Sequence, residues 1–87
     1  MQPIPPLWFK QRQCKAEPAG SDHELKLTGP NLGEAWISAR LADNGRWQAA
    51  LRLSADGADV AVTEPEIEDE QDAWMAAFEL YRTHIIV

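Results

Sequence analysis

The chain has 87 residues, 45% of them hydrophobic and 25% charged, and a formal net charge of −6. That size and balance describe one globular domain with a modest core and exclude global disorder; the acidic total argues against loose nucleic-acid binding, which rests on neutralising phosphates. Cys14 is the single cysteine, so an internal disulfide is excluded; a secreted domain this small usually carries several, and the expected compartment is the reducing cytoplasm.

Residues 1–6 hold three of the six prolines and should form an extended N-terminal arm. This start has neither a basic region nor the apolar run of a signal peptide. Leu7-Trp8-Phe9 is apolar and must pack somewhere. Residues 9–15 read as a strand and 16–22, with Pro18 and Gly20, as a loop. Residues 23–63 then read as an antiparallel meander. Leu25 and Leu27 share one side of 23–28. Ala35, Ile37, Ala39 and Leu41 share one side of 34–42, with Trp36, Ser38 and Arg40 on the other. In 46–54, Trp47, Ala49, Leu51 and Leu53 alternate with Arg46, Gln48, Ala50, Arg52 and Ser54. Val60 and Val62 continue the apolar side in 58–62. Such alternation marks half-buried strands.

Pairing parity sets the registers, because directly opposed residues must face the same way. A three-residue loop, Asp43-Asn44-Gly45, sets Leu41 opposite Trp47, Ala39 opposite Ala49 and Ile37 opposite Leu51. It needs a left-handed residue at its end, which Gly45 supplies. A two-residue loop at Asp56-Gly57 sets Leu53 opposite Val60 and Leu51 opposite Val62.

A helix over 64–84 should follow. Thr63-Glu64-Pro65-Glu66 fits a capping box with proline in the first turn. Glu64, Glu66, Glu68, Asp69, Glu70 and Asp72 suit the positive end of its dipole. Ile67, Trp74, Phe78, Tyr81 and Ile85 recur at helical spacing beside Ala77. This stripe should lie on the sheet's apolar side, with Trp47, Leu51, Ile37, Trp74 and Phe78 at the core's centre. Ile85-Ile86-Val87 reads either as a helix end docked on the core or as a short added strand. The fold class is therefore α+β: a meander of three to five strands with one C-terminal helix on one face. No apolar run approaches the roughly 20 residues of a membrane span, so no membrane partner is expected.

The candidate binding face is the side of the sheet away from the helix: Lys26, Trp36, Arg40, Arg46, Gln48 and Arg52. The register puts Trp36 opposite Arg52. A five-residue loop over 29–33 puts Lys26 on its other side. A tryptophan between two cations is held by cation–π contact, and a basic sheet with an aromatic can stack bases. Two structural readings compete. The 7–9 segment folds over this face, or Trp36 is a strand former among cations. Glu24, Glu34 and Asp59 share the face and nearly balance its charge.

Charge is uneven along the chain. Residues 1–54 carry seven basic and five acidic side chains, whereas 55–87 carry Arg82 against nine acids, a formal −8. The acidic run at 64–72 reads as a solvated helix start; it lacks the ligand order of a calcium loop. Its functional alternative is a docking surface for a basic partner. Ser21-Asp22-His23 has triad residue types, but consecutive residues cannot converge as a triad. Cys14, His23 and His84 have no zinc spacing. Neither an enzyme nor a cofactor nor a metal is expected.

Three strands then a helix, with Gly45-Arg46-Trp47, resemble the arm-binding domains of phage-type integrases and the plant ethylene-response type of DNA-binding domain. In those families the sheet face opposite the helix enters the major groove. Over residues 34–83 the resemblance implies Trp36, Arg40, Arg46 and Arg52 as contact residues. An acidic helix and a net charge of −6 depart from those basic families, and fold-level analogy does not carry function, so no membership is assigned. The expected function is a non-enzymatic interaction module binding a protein partner or itself. Nucleic-acid binding through the open sheet face is the alternative.

Overall fold

The computed structural model describes residues 3–30 and 32–86, the side chains at 21, 22 and 86 excepted. Elements follow in the order α1 (Leu7–Gln11), β1 (Lys15–Ala19), β2 (Ser21–Gly29), β3 (Gly33–Leu41), β4 (Trp47–Arg52), β5 (Asp59–Val62) and α2 (Glu70–Tyr81), with a π-helical turn at Arg82–Ile86. The five strands form one antiparallel sheet in sequence order, and α2 lies across β3 and β4. This is the α+β meander with a C-terminal helix on one face.

The central hairpin has the register that parity requires: Leu41 opposite Trp47, Ala39 opposite Ala49 and Ile37 opposite Leu51. Gly45 sits at φ +82°, a left-handed conformation that a side chain would strain. The Ala42 N–H donates to Arg46 O at 2.7 Å, and Asn44 Oδ1 accepts from the Arg46 N–H at 2.9 Å, which closes the turn. Gly29 pairs with Gly33, so Lys26 faces Trp36; Asn31 of that loop lies outside the described residues.

The second hairpin differs from its expected register. Leu51 faces Ala61 and Ala50 faces Val62, with a bulge where Arg52 faces Asp59. Ala61 therefore points inward, while Val60 and Val62 are half exposed and Leu53 leaves the sheet. The cause lies at Thr63. Its N–H donates to Ala49 O at 2.9 Å, and its hydroxyl accepts from the Ala49 N–H at 2.9 Å. A two-residue loop would slide Thr63 opposite Ala50 and lose both bonds.

Thr63 is thereby unavailable as a helix cap, and the expected capping box does not form. Residues 63–69 run on as an extended strap beside the start of β4, where Ile67 exchanges backbone hydrogen bonds with Trp47. The helix begins six residues later than expected from 64–84. Asp69 is its N-cap and accepts from the Asp72 N–H at 2.8 Å. Acidic Glu70 and Asp72 then occupy the first turn, where the helix dipole favours them.

The N-terminal half of the chain brings two corrections. Residues 9–15 are not a strand; a single turn of helix at α1 buries Phe9, whose ring meets Phe78 edge-on at 5.2 Å and Tyr81 at 5.9 Å. The meander starts at Lys15 rather than at residue 23, because β1 pairs with β2 from Lys15 opposite Thr28. The expected loop over 16–22 is thus mostly strand, reversing at Gly20.

Ala35, Ile37, Ala39, Ala49 and Leu51 of the sheet pack against Ala73, Trp74, Ala77, Phe78 and Tyr81 of α2, with Phe9, Leu25 and Leu27 completing the core. Trp47 lies at the rim rather than the centre, its ring 5.9 Å from His23. Leu41 is on the inward side but exposed, beyond the reach of the helix. Ile85 docks on the core as a helix end; Val87, like Met1 and Gln2 of the arm, lies outside the described residues. Among the described residues, no helix is long and apolar enough to cross a membrane.

Candidate interaction face

The open side of the sheet presents four cross-strand rows among the described residues. Lys15, Thr28 and Glu34 form the first; Glu17, Lys26, Trp36, Arg52 and Asp59 the second; Glu24, Ser38, Ala50 and Val62 the third; Arg40 and Gln48 the fourth. Alternation alone brings Lys26, Trp36, Arg40, Gln48 and Arg52 to one surface. Arg46 lies just before β4 and points elsewhere: its guanidinium donates to the backbone carbonyl of Glu66 at 3.5 Å.

Trp36 is half buried. Lys26 Nζ stands 6.0 Å and Arg52 Cζ 5.7 Å from its ring centroid, within cation–π range. The 7–9 segment does not cover it, because Phe9 is committed to Phe78 and Tyr81 on the helix side.

Three cations in these rows, Lys26, Arg40 and Arg52, have a carboxylate partner. Lys26 pairs with Glu34. Arg40 makes a two-pronged bond to Asp59, at 2.8 and 3.1 Å. Arg52 does the same with Glu24, one prong at 3.0 Å. The Glu34 hydrogen bond and charge push the Lys26 ammonium up from its ordinary value, and the Glu24 hydrogen bond does the same for Arg52. Both groups therefore hold their protons, and their charge, more tightly.

The two arginine pairs run diagonally. Arg52–Glu24 straddles β3, and Arg40–Asp59 straddles β4. Between them lie Ser38 and Ala50, which are buried although they face away from the helix. Small side chains there let the long ones lie flat, and the arginine stems cover them. Gln48 turns sideways, its amide nitrogen donating to Thr63 O at 3.2 Å. With Glu17 opposite Lys26 and Lys15 opposite Thr28, the described side chains give this face four acids and four bases, and it is not a basic patch.

Sequence reasoning placed Val60 and Val62 on the inward apolar side, whereas they are the exposed apolar pair on the last strand. No local signal marks them, since the bulge that turns them outward depends on Thr63 and Ala49. Cys14 is buried between α1 and β1, and His23 lies 3.5 Å from Glu70 through Nδ1. Among the described residues, no three His, Cys, Asp or Glu side chains gather closely enough to hold a metal ion. The chain matches no family model, no curated protein and no solved structure. The functional reading therefore rests on its own residues.

Proposed function

We propose that this domain is a non-enzymatic interaction module that binds a protein partner or a second copy of itself, through the outer edge of β5 and the adjoining open face. The observation that carries this reading is the outward turn of Val60 and Val62, 52% and 49% exposed on a terminal strand. Thr63 directs its N–H toward β4, so alternation directs the N–H and C=O of Val62 away from the sheet. An extended segment can add there, gaining backbone hydrogen bonds while Val60 and Val62 select its side chains. Burial of Cys14 and the lack of any second cysteine support a cytoplasmic setting.

Nucleic-acid binding through the Trp36 face is the second reading. Its support is the stacking surface of Trp36. Against it, a phosphate must first displace Glu34, Asp59 or Glu24 from its cation. Two measurements separate the readings. Labelled single- and double-stranded oligonucleotides titrated at low salt should show no binding near micromolar concentration; binding lost on neutralising Arg40 and Arg52 together would favour the second. Sedimentation over a wide concentration range should show association if the partner is a second copy; extended Val/Thr-alternating peptides should slow amide exchange at Val62, and Val62→Lys should abolish either effect. A monomer at every concentration whose β5 amides ignore all such peptides would remove the first reading.

A further inference from the structure

A second surface lies on the opposite side of the molecule. An open groove of about 310 Å³ runs between the N-terminal arm and α2, lined by Pro3, Ile4, Glu70, Gln71, Trp74, Met75 and Phe78. We infer that this groove receives an apolar side chain carried on a basic peptide segment of a protein partner. This goes beyond the β5 reading and uses none of its residues.

The walls favour a large apolar group. Trp74 and Phe78 form the floor, nearly wholly buried, and Trp74 is held in place by its Nε1–H donating to Glu70 Oε2 at 3.3 Å. Ile4 and Met75, 83% and 54% exposed, stand at the lips. Large apolar side chains flanking an open hollow are what a docking groove exposes, and Met adapts its shape to different occupants. The volume is at the small end of ligand pockets, enough for one bulky side chain.

Charge selects what carries that side chain. The groove lining contains one carboxylate, Glu70, and no cation. Along the strap and helix, Glu64, Glu66, Glu68, Asp69, Asp72 and Glu79 are all exposed, and the basic side chains that meet this surface are Arg46, on the Glu66 carbonyl at 3.5 Å, His23, 3.5 Å from Glu70, and Arg82, held by Glu79 at 2.8 Å. Only Asp69 among them caps the helix. These acids extend beyond the groove, so a compact ligand inside it cannot answer them, whereas a peptide with Lys or Arg beside its anchor can. A second copy would bring its own acidic half, and nucleic acids and anionic membranes would bring phosphates; all are repelled.

The test uses the full chain and two synthetic helical peptides with the same leucine stripe, one with lysine and one with glutamate elsewhere. Nuclear magnetic resonance should show the lysine peptide moving the Trp74 indole and Met75 methyl signals while β5 amides stay still. The glutamate peptide should move neither. Ile4→Ser, at an exposed position that does not threaten folding, should weaken the lysine peptide by about tenfold, and Glu70→Gln with Asp72→Asn should weaken it by a similar factor and flatten its salt dependence. The inference is overturned if the lysine peptide leaves Met75 unmoved, if both peptides bind alike, or if Ile4→Ser changes nothing.

Discussion

The two sides of this sheet are built from the same strands by opposite means. Beneath α2, apolar side chains from every strand meet Trp74, Phe78 and Tyr81 in a continuous core. On the other side no helix of the described residues lies over the strands, yet Ser38 and Ala50 are as buried as core residues, because two arginine–carboxylate pairs cross above them. One side excludes water by bulk. The other does so by small residues under long, paired ones.

The contrast is broken most strongly on the helix side. Phe78→Ala should cost about 3–5 kcal/mol, as large-to-small core changes do, and a loss under about 1 kcal/mol in a denaturant titration would show that Phe78 is not central to the core. On the open side the sensitive change runs the other way. Ala50→Leu should cost about 1–3 kcal/mol through overpacking, because the added atoms must lift the Arg40–Asp59 and Arg52–Glu24 pairs. A neutral Ala50→Leu would mean that the pairs do not cover this position.

Smaller effects sharpen the comparison. Arg52→Ala strands Glu24 at a site where both side chains are mostly sheltered, 15% and 18% exposed, and should cost about 1–2 kcal/mol. Removing Glu24 as well should recover part of that loss in a double-mutant cycle; fully additive losses would show no coupling. Tyr81→Phe should be the mildest, within about 1 kcal/mol of neutral or stabilising, because the buried Tyr81 hydroxyl has no hydrogen-bond partner among the described residues.

The same hydroxyl makes stability depend on alkaline pH. Burial first, and the neighbouring Cys14 thiol second, push Tyr81 up to about 12, while an unfolded tyrosine titrates near about 10. Above pH of about 10 the unfolded chain loses this proton and the folded one keeps it, so the stabilising contribution, complete at lower pH, drains away as pH rises towards about 12. Tyr81→Phe should flatten that decline, and a tyrosinate absorbance titration of the folded protein should show its single tyrosine ionising late.

What the sequence made legible divides along the same physical line. The central hairpin could be read because its determinants are local: Gly45 in the turn and alternation in the flanking strands. The row Lys26, Trp36, Arg52 followed from that register. The pairing of those cations did not, since Glu24 and Asp59 reach them diagonally from strands not adjacent to their own. The β5 register and the helix start were misread for one reason. Thr63 satisfies the rules for a cap, but a partner 14 residues away, Ala49, competes for its hydroxyl. Residues 9–15 held an apolar residue without periodicity, and only the aromatic contacts of Phe9 decide for a helical turn there. The groove beside α2 was invisible because Pro3 and Ile4 reach it through tertiary packing.

The strap between β5 and α2 has a consequence for assembly. Many small folds exchange a terminal helix with a neighbouring copy when the preceding segment is a free hinge. Here that segment is stitched to its own β4 at Ala49 and Trp47 and to the adjoining turn at Asn44, whose side chain donates to Pro65 O at 3.1 Å. Releasing α2 would unzip all of these bonds before any could re-form in another molecule. The segment before α2 is thus no free hinge, which works against exchange of the helix alone between copies.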